Sequence, residues 1–263
     1  RLRTAIDRLI ESGGSFDLEL EYLRDDQQPC WVRMIGEADT ADPGVSRIVG
    51  TLQDITERKH AEESLRIQAR TDPLTGLLNR DAILVELDKR MQDPASADVA
   101  VLYIDLDRFK VINDVLGHAA GDELLASAAQ RISAAVDGEG LIARFGGDEF
   151  LVACQYADAP ERPERIAAAI LQALSESFRF DNEEFTITAS IGIARSPDDG
   201  VRPQSLIQNA DAAMYDSKRR SRNAWQAFTP ALAQTQADRL WMETHLRRAA
   251  DNGEFHLVYQ PQV

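Results

Sequence analysis

Four short stretches carry side chains whose types and spacing could do chemistry. In "LYIDLDRF", Asp105 and Asp107 stand at the carboxyl end of an apolar run, and a spacing of two places both on one face of a strand. Two carboxylates on one face repel unless a cation or hydrogen-bond donors compensate. Asp105 then reads as a metal ligand. The plainer alternative makes Asp107 the N-cap of a helix starting near Arg108 and leaves Asp105 exposed. In "ARFGGDEFLVA", Gly146 and Gly147 suit a two-residue hairpin turn, since glycine takes positive φ without steric cost. A hairpin alone does not explain Asp148 and Glu149 at the start of the returning strand, where they point to opposite faces. A carboxylate on a packed face costs stability unless it has a partner. If the hairpin lies beside the strand ending at Asp105, then Asp105 and Asp148 could share Mg²⁺, a hard cation that bridges carboxylates to nucleotide phosphates.

The third stretch, "KRRSRN", places Lys218 and Arg222 four apart at a helix end, with Lys110 directly after the acid pair. These cations could neutralise a polyphosphate, or simply complement the negative end of the helix. In the fourth, "FKVINDVLGHAAGDELL", Asn113 offers a donor and an acceptor and Asp122 offers two acceptor oxygens, a set that suits the edge of guanine. Asn113 as a helix-face residue and Asp122 as an N-cap before "ELLASAA" are the alternatives.

The elements that must position these residues can be read from periodicity. From Thr71 to about Phe228 the pattern is compact α/β. "DVAVLYIDLD" is a buried strand, "FKVINDVLG" and "GDELLASAAQRISAAV" are helical, and "GLIARFGGDEFLVACQY" is a hairpin. "ERIAAAILQALSESF" is an amphipathic helix, "EEFTITASIGIAR" a strand, "PQSLIQNADAAMYDSKRR" a helix and "AWQAF" a closing strand. The first strand and the hairpin should share a sheet covered by helices. Before this region, a short amphipathic helix leads into "FDLELEYLR", "CWVRMIGEAD" and "SRIVGTLQDIT", an antiparallel meander with turns at "DDQQP" and "TADPGV". "DITERKHAEESLRIQAR" then reads as a solvated helix with Thr56 as a possible N-cap, either a plain connector or one strand of a two-chain coiled coil.

The totals bound the function. A net charge of −15 over 263 residues argues against passive nucleic-acid binding, which needs a basic face. It leaves open a nucleotide substrate whose charge a metal offsets. The two cysteines, Cys30 and Cys154, have no ligand spacing and read as reduced packing thiols of a cytoplasmic setting. No apolar run reaches the length of a membrane span, and no phosphate-binding "GxxxxGK[ST]" pattern is present.

In order, "TDPLTGLLNR", "DLDRFKVIND", "GHAAGDELL", "RFGGDEF" and "DAAMYDSKRRSRN" resemble the GGDEF family of diguanylate cyclases, with the signature unbroken at Gly146, Gly147, Asp148, Glu149 and Phe150. The resemblance implies an α/β (α+β) fold of nucleotidyl-cyclase, palm-like type, with a partly antiparallel sheet flanked by helices. It implies that Asp105, Asp148 and the Leu106 backbone carbonyl hold Mg²⁺ or Mn²⁺. Glu149 would be a second ligand or the base for a ribose 3′-hydroxyl. Asn113 and Asp122 would read guanine. Lys218, Arg222, Lys110 and the backbone around Phe109 would hold the triphosphate, and Gly146 and Gly147 would let the backbone approach the nucleotide. The implied reaction condenses two GTP into cyclic di-GMP with release of pyrophosphate, in a homodimer. A catalytically silent GTP-binding module is the alternative. The family's inhibitory product site, Arg-x-x-Asp, falls here on Asp137 and Gly140 and is absent.

The flanks carry resemblances of their own. Residues 1–56 resemble the carboxyl-terminal part of a PAS sensor domain, and 57–70 would be a signalling helix setting how two cyclase domains meet. The cyclase domain would span 71–229. Residues 230–263, ending in "YQPQV", resemble a linker and the opening of an EAL phosphodiesterase domain, whose own metal ligands would lie beyond Val263.

Overall fold

In the computed structural model the described residues are 2–12, 14–24, 28–39, 47–93, 98–180, 183–232 and the positions 234, 242, 245, 248, 249 and 252–255. The central residues of the two expected turns, 25–27 and 40–46, and the "YQPQV" segment lie outside them. The chain divides into two compact units, Arg1–Ala69 and Arg70–Val263.

In the first unit, α1 (Leu2–Ser12) precedes three strands, β1 (Ser15–Leu23), β2 (Pro29–Asp39) and β3 (Arg47–Asp54), and α2 (Thr56–Gln68) follows. The strands form an antiparallel sheet in the order β1-β2-β3. Leu9, Cys30 and Ile55 are its most buried apolar residues. The entry to α2 is fixed by the strands. The Ile55 amide donates to the Trp31 carbonyl (2.8 Å), and the Trp31 amide donates to Thr56 Oγ1 (2.9 Å). Thr56 is therefore not the N-cap. Ile55 holds that position, and the threonine hydroxyl is engaged by β2.

The second unit is built on a five-stranded sheet ordered β10-β9-β4-β6-β5, from β4 (Val99–Leu106), β5 (Gly140–Gly146), β6 (Glu149–Gln155), β9 (Ala189–Arg195) and β10 (Ala224–Ala227). All neighbours are antiparallel except β9 and β10. The helices are α3 (Arg80–Gln92), α4 (Phe109–Leu116), α5 (His118–Val136), α6 (Arg162–Ser175) and α7 (Pro203–Arg220). The stretch "EEFTITASIGIAR", expected as one strand, is two. Glu183–Phe185 forms β8 and pairs with β7 (Phe178–Phe180), where Phe178 and Phe185 stack at 6.2 Å, and only Ala189–Arg195 enters the main sheet.

Strand β4 is buried along its whole length, so its alternating side chains feed two cores. Ala100, Leu102, Ile104 and Leu106 pack with Leu125 and Ile132 of α5 and with Ile166 and Ile170 of α6. Val99, Val101 and Tyr103 face the other way, onto Ile83 and Leu87 of α3 and Leu206, Ala210 and Met214 of α7. Asp105 continues this second set. The alternation thus delivers a carboxylate to the α7 side of the sheet.

Helix α7 reaches that face because Gly192 of β9 has no side chain. A Cβ there would fall well inside contact distance of the Ala210 carbonyl oxygen and the Met214 amide nitrogen, both backbone atoms. Gly192→Ala should therefore cost at least about 2 kcal/mol, because helix and strand must separate. Urea unfolding measures it, and a loss under about 0.5 kcal/mol, the scale of an ordinary surface substitution, would show that the helix sits less tightly.

Candidate active site

The chemistry-bearing residues gather at the carboxyl end of β4, the β5–β6 turn and the end of α7. Register places Glu149 directly opposite Asp105 across the β4–β6 pair. The turn between β5 and β6 differs in detail from the expected one. Gly146 pairs with Glu149, so the two loop residues are Gly147 and Asp148, and an irregularity between Arg144 and Gly146 leaves Phe145 as the extra residue. Gly147 takes φ +51, the conformation glycine tolerates best. The turn is tied to β4 by the Leu106 amide, which donates to the Asp148 carbonyl (3.3 Å). Asp148 and Glu149 are half-buried and both glycines are exposed.

The two strand-end carboxylates have different surroundings. Asp107 does not cap α4. That helix is preceded by Arg108 in the left-handed region (φ 62), with no side-chain cap. Asp107 instead accepts from Thr188 Oγ1 (2.7 Å), Ser190 Oγ (2.9 Å) and the Asn223 amide (3.3 Å), and Arg222 Nε lies at 4.0 Å. It is a satisfied anchor that holds the loop carrying Arg222. Arg222 itself lies beyond the end of α7, at φ 51, rather than on the helix.

Asp105 is 6% exposed and has one cation, Lys218, whose ammonium meets Oδ1 as an ion pair outside hydrogen-bonding geometry. Burial pushes the Asp105 pKa up to about 6, Lys218 opposes the shift, and the charges of Asp148 and Glu149 add to it. Asp105, Asp148 and Glu149 therefore share one electrostatic neighbourhood. Among the described residues no three acidic, histidine or cysteine side chains converge as a metal cage. A buried, under-bonded aspartate with a second carboxylate nearby still offers hard oxygen donors of the kind Mg²⁺ takes.

On the other side of the sheet end, α4 and α5 carry the remaining candidates. Asn113 is half-buried and its Oδ1 is enclosed with no hydrogen-bond partner. It fits because Gly121 lies against it, where a Cβ would collide with that oxygen. Asp122 is not an N-cap. Helix α5 begins at His118, and Asp122 is exposed in its second turn. Lys110 is exposed in the first turn of α4 and Phe109 is buried behind it.

Sequence reasoning gave no role to three residues that shape the site. Arg144 donates twice to the Gly147 carbonyl (3.0 and 2.9 Å) and also reaches Asp72 (3.2 Å), which accepts from the Thr75 amide and hydroxyl. Asp72, Thr75 and Arg144 sit in the quoted stretches "TDPLTGLLNR" and "RFGGDEF", and only their contacts reveal a strut.

Residues 69–224 match the family model described as "Diguanylate cyclase, GGDEF domain". The chain is 39% identical over 210 residues to the cyclic di-GMP phosphodiesterase PdeR of Escherichia coli, covering 80% of this chain and 32% of that protein. The crystal structure of the GGDEF domain of YfiN from Pseudomonas aeruginosa superposes with TM-score 0.56 at 37% identity, over 59% of this chain and 98% of that one. A coiled coil and GGDEF domain of DgcB from Caulobacter crescentus, solved with c-di-GMP, gives TM-score 0.59 at 28% identity, over 66% and 93%.

The raised pKa of Asp105 makes a stability prediction. A group whose folded pKa exceeds its unfolded one stabilises the fold when protonated, fully below the unfolded value, and that contribution is lost as pH rises through the folded value. The window here runs from 3.8 to about 6. Without divalent cations, Asp105→Asn should be more stable than the parent at about pH 8, by at most about 3 kcal/mol for two pKa units, less the lost ion pair. The difference should vanish near pH 4. Thermal melts across this range test it, and a parent that outlasts the variant at the alkaline end would show that burial is not what raises this group.

Proposed function

The chain belongs to the GGDEF family of diguanylate cyclases, and from that premise we propose that it condenses two GTP into cyclic di-GMP with release of pyrophosphate. The observation that carries this reading is the buried Asp105, set against Asp148 and Glu149 and met by Lys218. It is a concentration of opposed charge that folding alone does not require. In this reading Asp105, Asp148 and the Leu106 carbonyl hold Mg²⁺ or Mn²⁺. When bound, the ion offsets negative charge on the α-phosphate and the attacking 3′-oxygen.

The chain's own residues do the rest. Lys218, Arg222 and Lys110 hold the triphosphate, with the backbone at Arg108 and Phe109 turned for close approach. Asn113, whose Oδ1 has no partner within the protein, and Asp122 read the edge of guanine. Gly146 and Gly147 leave open space, with nothing within 4 Å of an added Cβ, so a nucleotide can lie against the turn. Glu149 takes the proton of the 3′-hydroxyl. The product has a two-fold axis and each domain holds one GTP, so two chains must face each other. Residues 1–56 as part of a PAS sensor, 57–70 as a signalling helix, 71–229 as the cyclase domain and 230–263 as the start of an EAL domain complete the reading. Helix α2 suits a dimer contact, since it buries no residue and exposes Leu65 and Ile67. No helix among the described residues is long and apolar enough to cross a membrane.

A second reading rests on the name of the phosphodiesterase relative, of whose length this chain spans 32%. In it the same site binds GTP without turnover and controls a neighbouring phosphodiesterase domain. Incubation with GTP and Mg²⁺ separates the two. Cyclic di-GMP from the parent and none from Asp148→Ala supports the cyclase. Tight GTP binding without product, at concentrations that give dimers, supports the silent module.

Gly121→Ala tests the guanine assignment. Its Cβ must push aside the Asn113 amide, a movable side-chain end, while the next neighbour, Phe109 Cζ, lies at 3.2 Å. The KM or Kd for GTP should rise about tenfold, the cost of one lost hydrogen bond of about 1.4 kcal/mol. The melting temperature should hold or rise, because alanine is the better helix former by about 1 kcal/mol. Unchanged GTP affinity would remove Asn113 from the guanine site.

A further inference from the structure

A cavity of about 250 Å³ opens between α3, α7 and the sheet, and none of the residues assigned to metal, guanine or triphosphate lines it. Its floor is aromatic. Tyr103, 5% exposed, meets Phe145 edge-on, with ring centroids 5.5 Å apart at 70°. Leu84 of α3 and Ile207 of α7 add apolar walls. Asp211 follows Ile207 by four residues, so it lies on the same side of α7 and brings a carboxylate into this lining. It is half-buried and makes no hydrogen bond or ion pair among the described residues.

The cavity already shows what it attracts. Arg80, exposed at the start of α3, lies with its guanidinium over the Phe145 ring, 4.9 Å from the centroid. A ring face is negative and draws a cation. Arg80 stacks on that ring and makes no ion pair with Asp211, so the ring is covered and the carboxylate keeps no cation of its own. A part-buried carboxylate among apolar walls is a stronger acceptor than one in water, and it is costly to leave unpaired.

We propose that this cavity is a binding site for a small planar organic cation, of the amidine or guanidine kind, held by Asp211 and by the Tyr103–Phe145 pair. A planar fork of N–H groups meets a carboxylate in two parallel hydrogen bonds, while its face lies on an aromatic ring. A metal ion does not fit, since Asp211 is the one acid in the lining and hard cations take several oxygen ligands. The occupant is small, because the volume lies below that of pockets for drug-sized ligands. The site stands apart from the cyclase reading and does not depend on it.

Benzamidine is the probe, and benzamide, uncharged and of the same shape, is its control, with binding to the whole chain followed by ligand-observed NMR titration. Benzamidine should bind with a Kd of about 1 mM or tighter, the range open to so small a ligand. Benzamide should bind about tenfold more weakly, the cost of losing one charged hydrogen bond. Asp211→Asn keeps the shape of the side chain and should weaken benzamidine about tenfold for the same reason. Arg80→Ala should tighten it about threefold, because the cation that now covers the ring is gone. Asp148→Ala removes an acid of the nearby turn and should change the affinity less than about twofold. Equal affinity for the two probes would overturn the proposal, as would an Asp211→Asn variant that binds benzamidine as the parent does.

Discussion

The second unit is organised by the cost of ending a fully buried strand in carboxylates. Every residue of β4 is shielded from water, and Asp105 and Asp107 come at and just after its end. Burying a carboxylate is tolerated only with donors or a cation. Each aspartate solves this differently. Asp107 is met by two hydroxyls and a backbone amide, a closed set. Asp105 has only Lys218, from a helix that must come close enough to deliver it. The position of α7, and hence the glycine at 192 that lets it approach β9, follows from the need to bring that ammonium to the strand end.

The same logic explains why the turn carries a rigid strut. A two-residue loop bearing Asp148 at its tip has little packing of its own, since nothing lies near its glycines. Arg144 supplies what packing cannot. One end of its guanidinium holds the Gly147 carbonyl while the other reaches Asp72, itself fixed by Thr75. The pair is mostly buried, with side chains 16% and 18% exposed, so the ionic contact is weakened less by water than a surface pair would be. Asp72 lies 72 residues from Arg144 in sequence, so the strut also fastens the entry segment of the unit to the hairpin.

Much of this was legible in the residues, and what was not has a common cause. Apolar run length and period-two alternation revealed β4 and the hairpin, and helical spacing revealed α7, because burial imposes those patterns directly. The acids, cations and amide of the site were also visible, because charges in an apolar context stand out. Features that depend on which partner lies across the fold were hidden. Thr56 and Asp107 both have the composition of helix caps, yet Trp31 claims the hydroxyl of the first and the hydroxyls of Thr188 and Ser190 claim the carboxylate of the second. The turn slipped by one residue because Phe145 bulges out of the β5 ladder, and no local signal announces a bulge.

Arg222 and Asn223 show how the anchor and the working residues are coupled. Both sit in the left-handed region, at φ 51 and 44, a conformation that asparagine tolerates and that costs arginine roughly 1–2 kcal/mol. The turn is held from α7, where the Ser217 carbonyl accepts from the Arg222 amide (3.1 Å) and the Ser217 hydroxyl donates to the Ala224 carbonyl (2.8 Å), and from across the sheet. Asp107 does the latter, accepting from the Asn223 amide while Arg222 Nε stands 4.0 Å away. The carboxylate that takes no direct part in the proposed chemistry thus turns the chain sharply after α7 and starts β10 in register with β9. It also leaves the Arg222 guanidinium half-exposed at the mouth of the site, with Lys218 deeper inside. A cation held by a strained loop and a distant carboxylate can meet an incoming anion without first leaving a strong partner, since at 4.0 Å and half in water the Asp107 contact is weak.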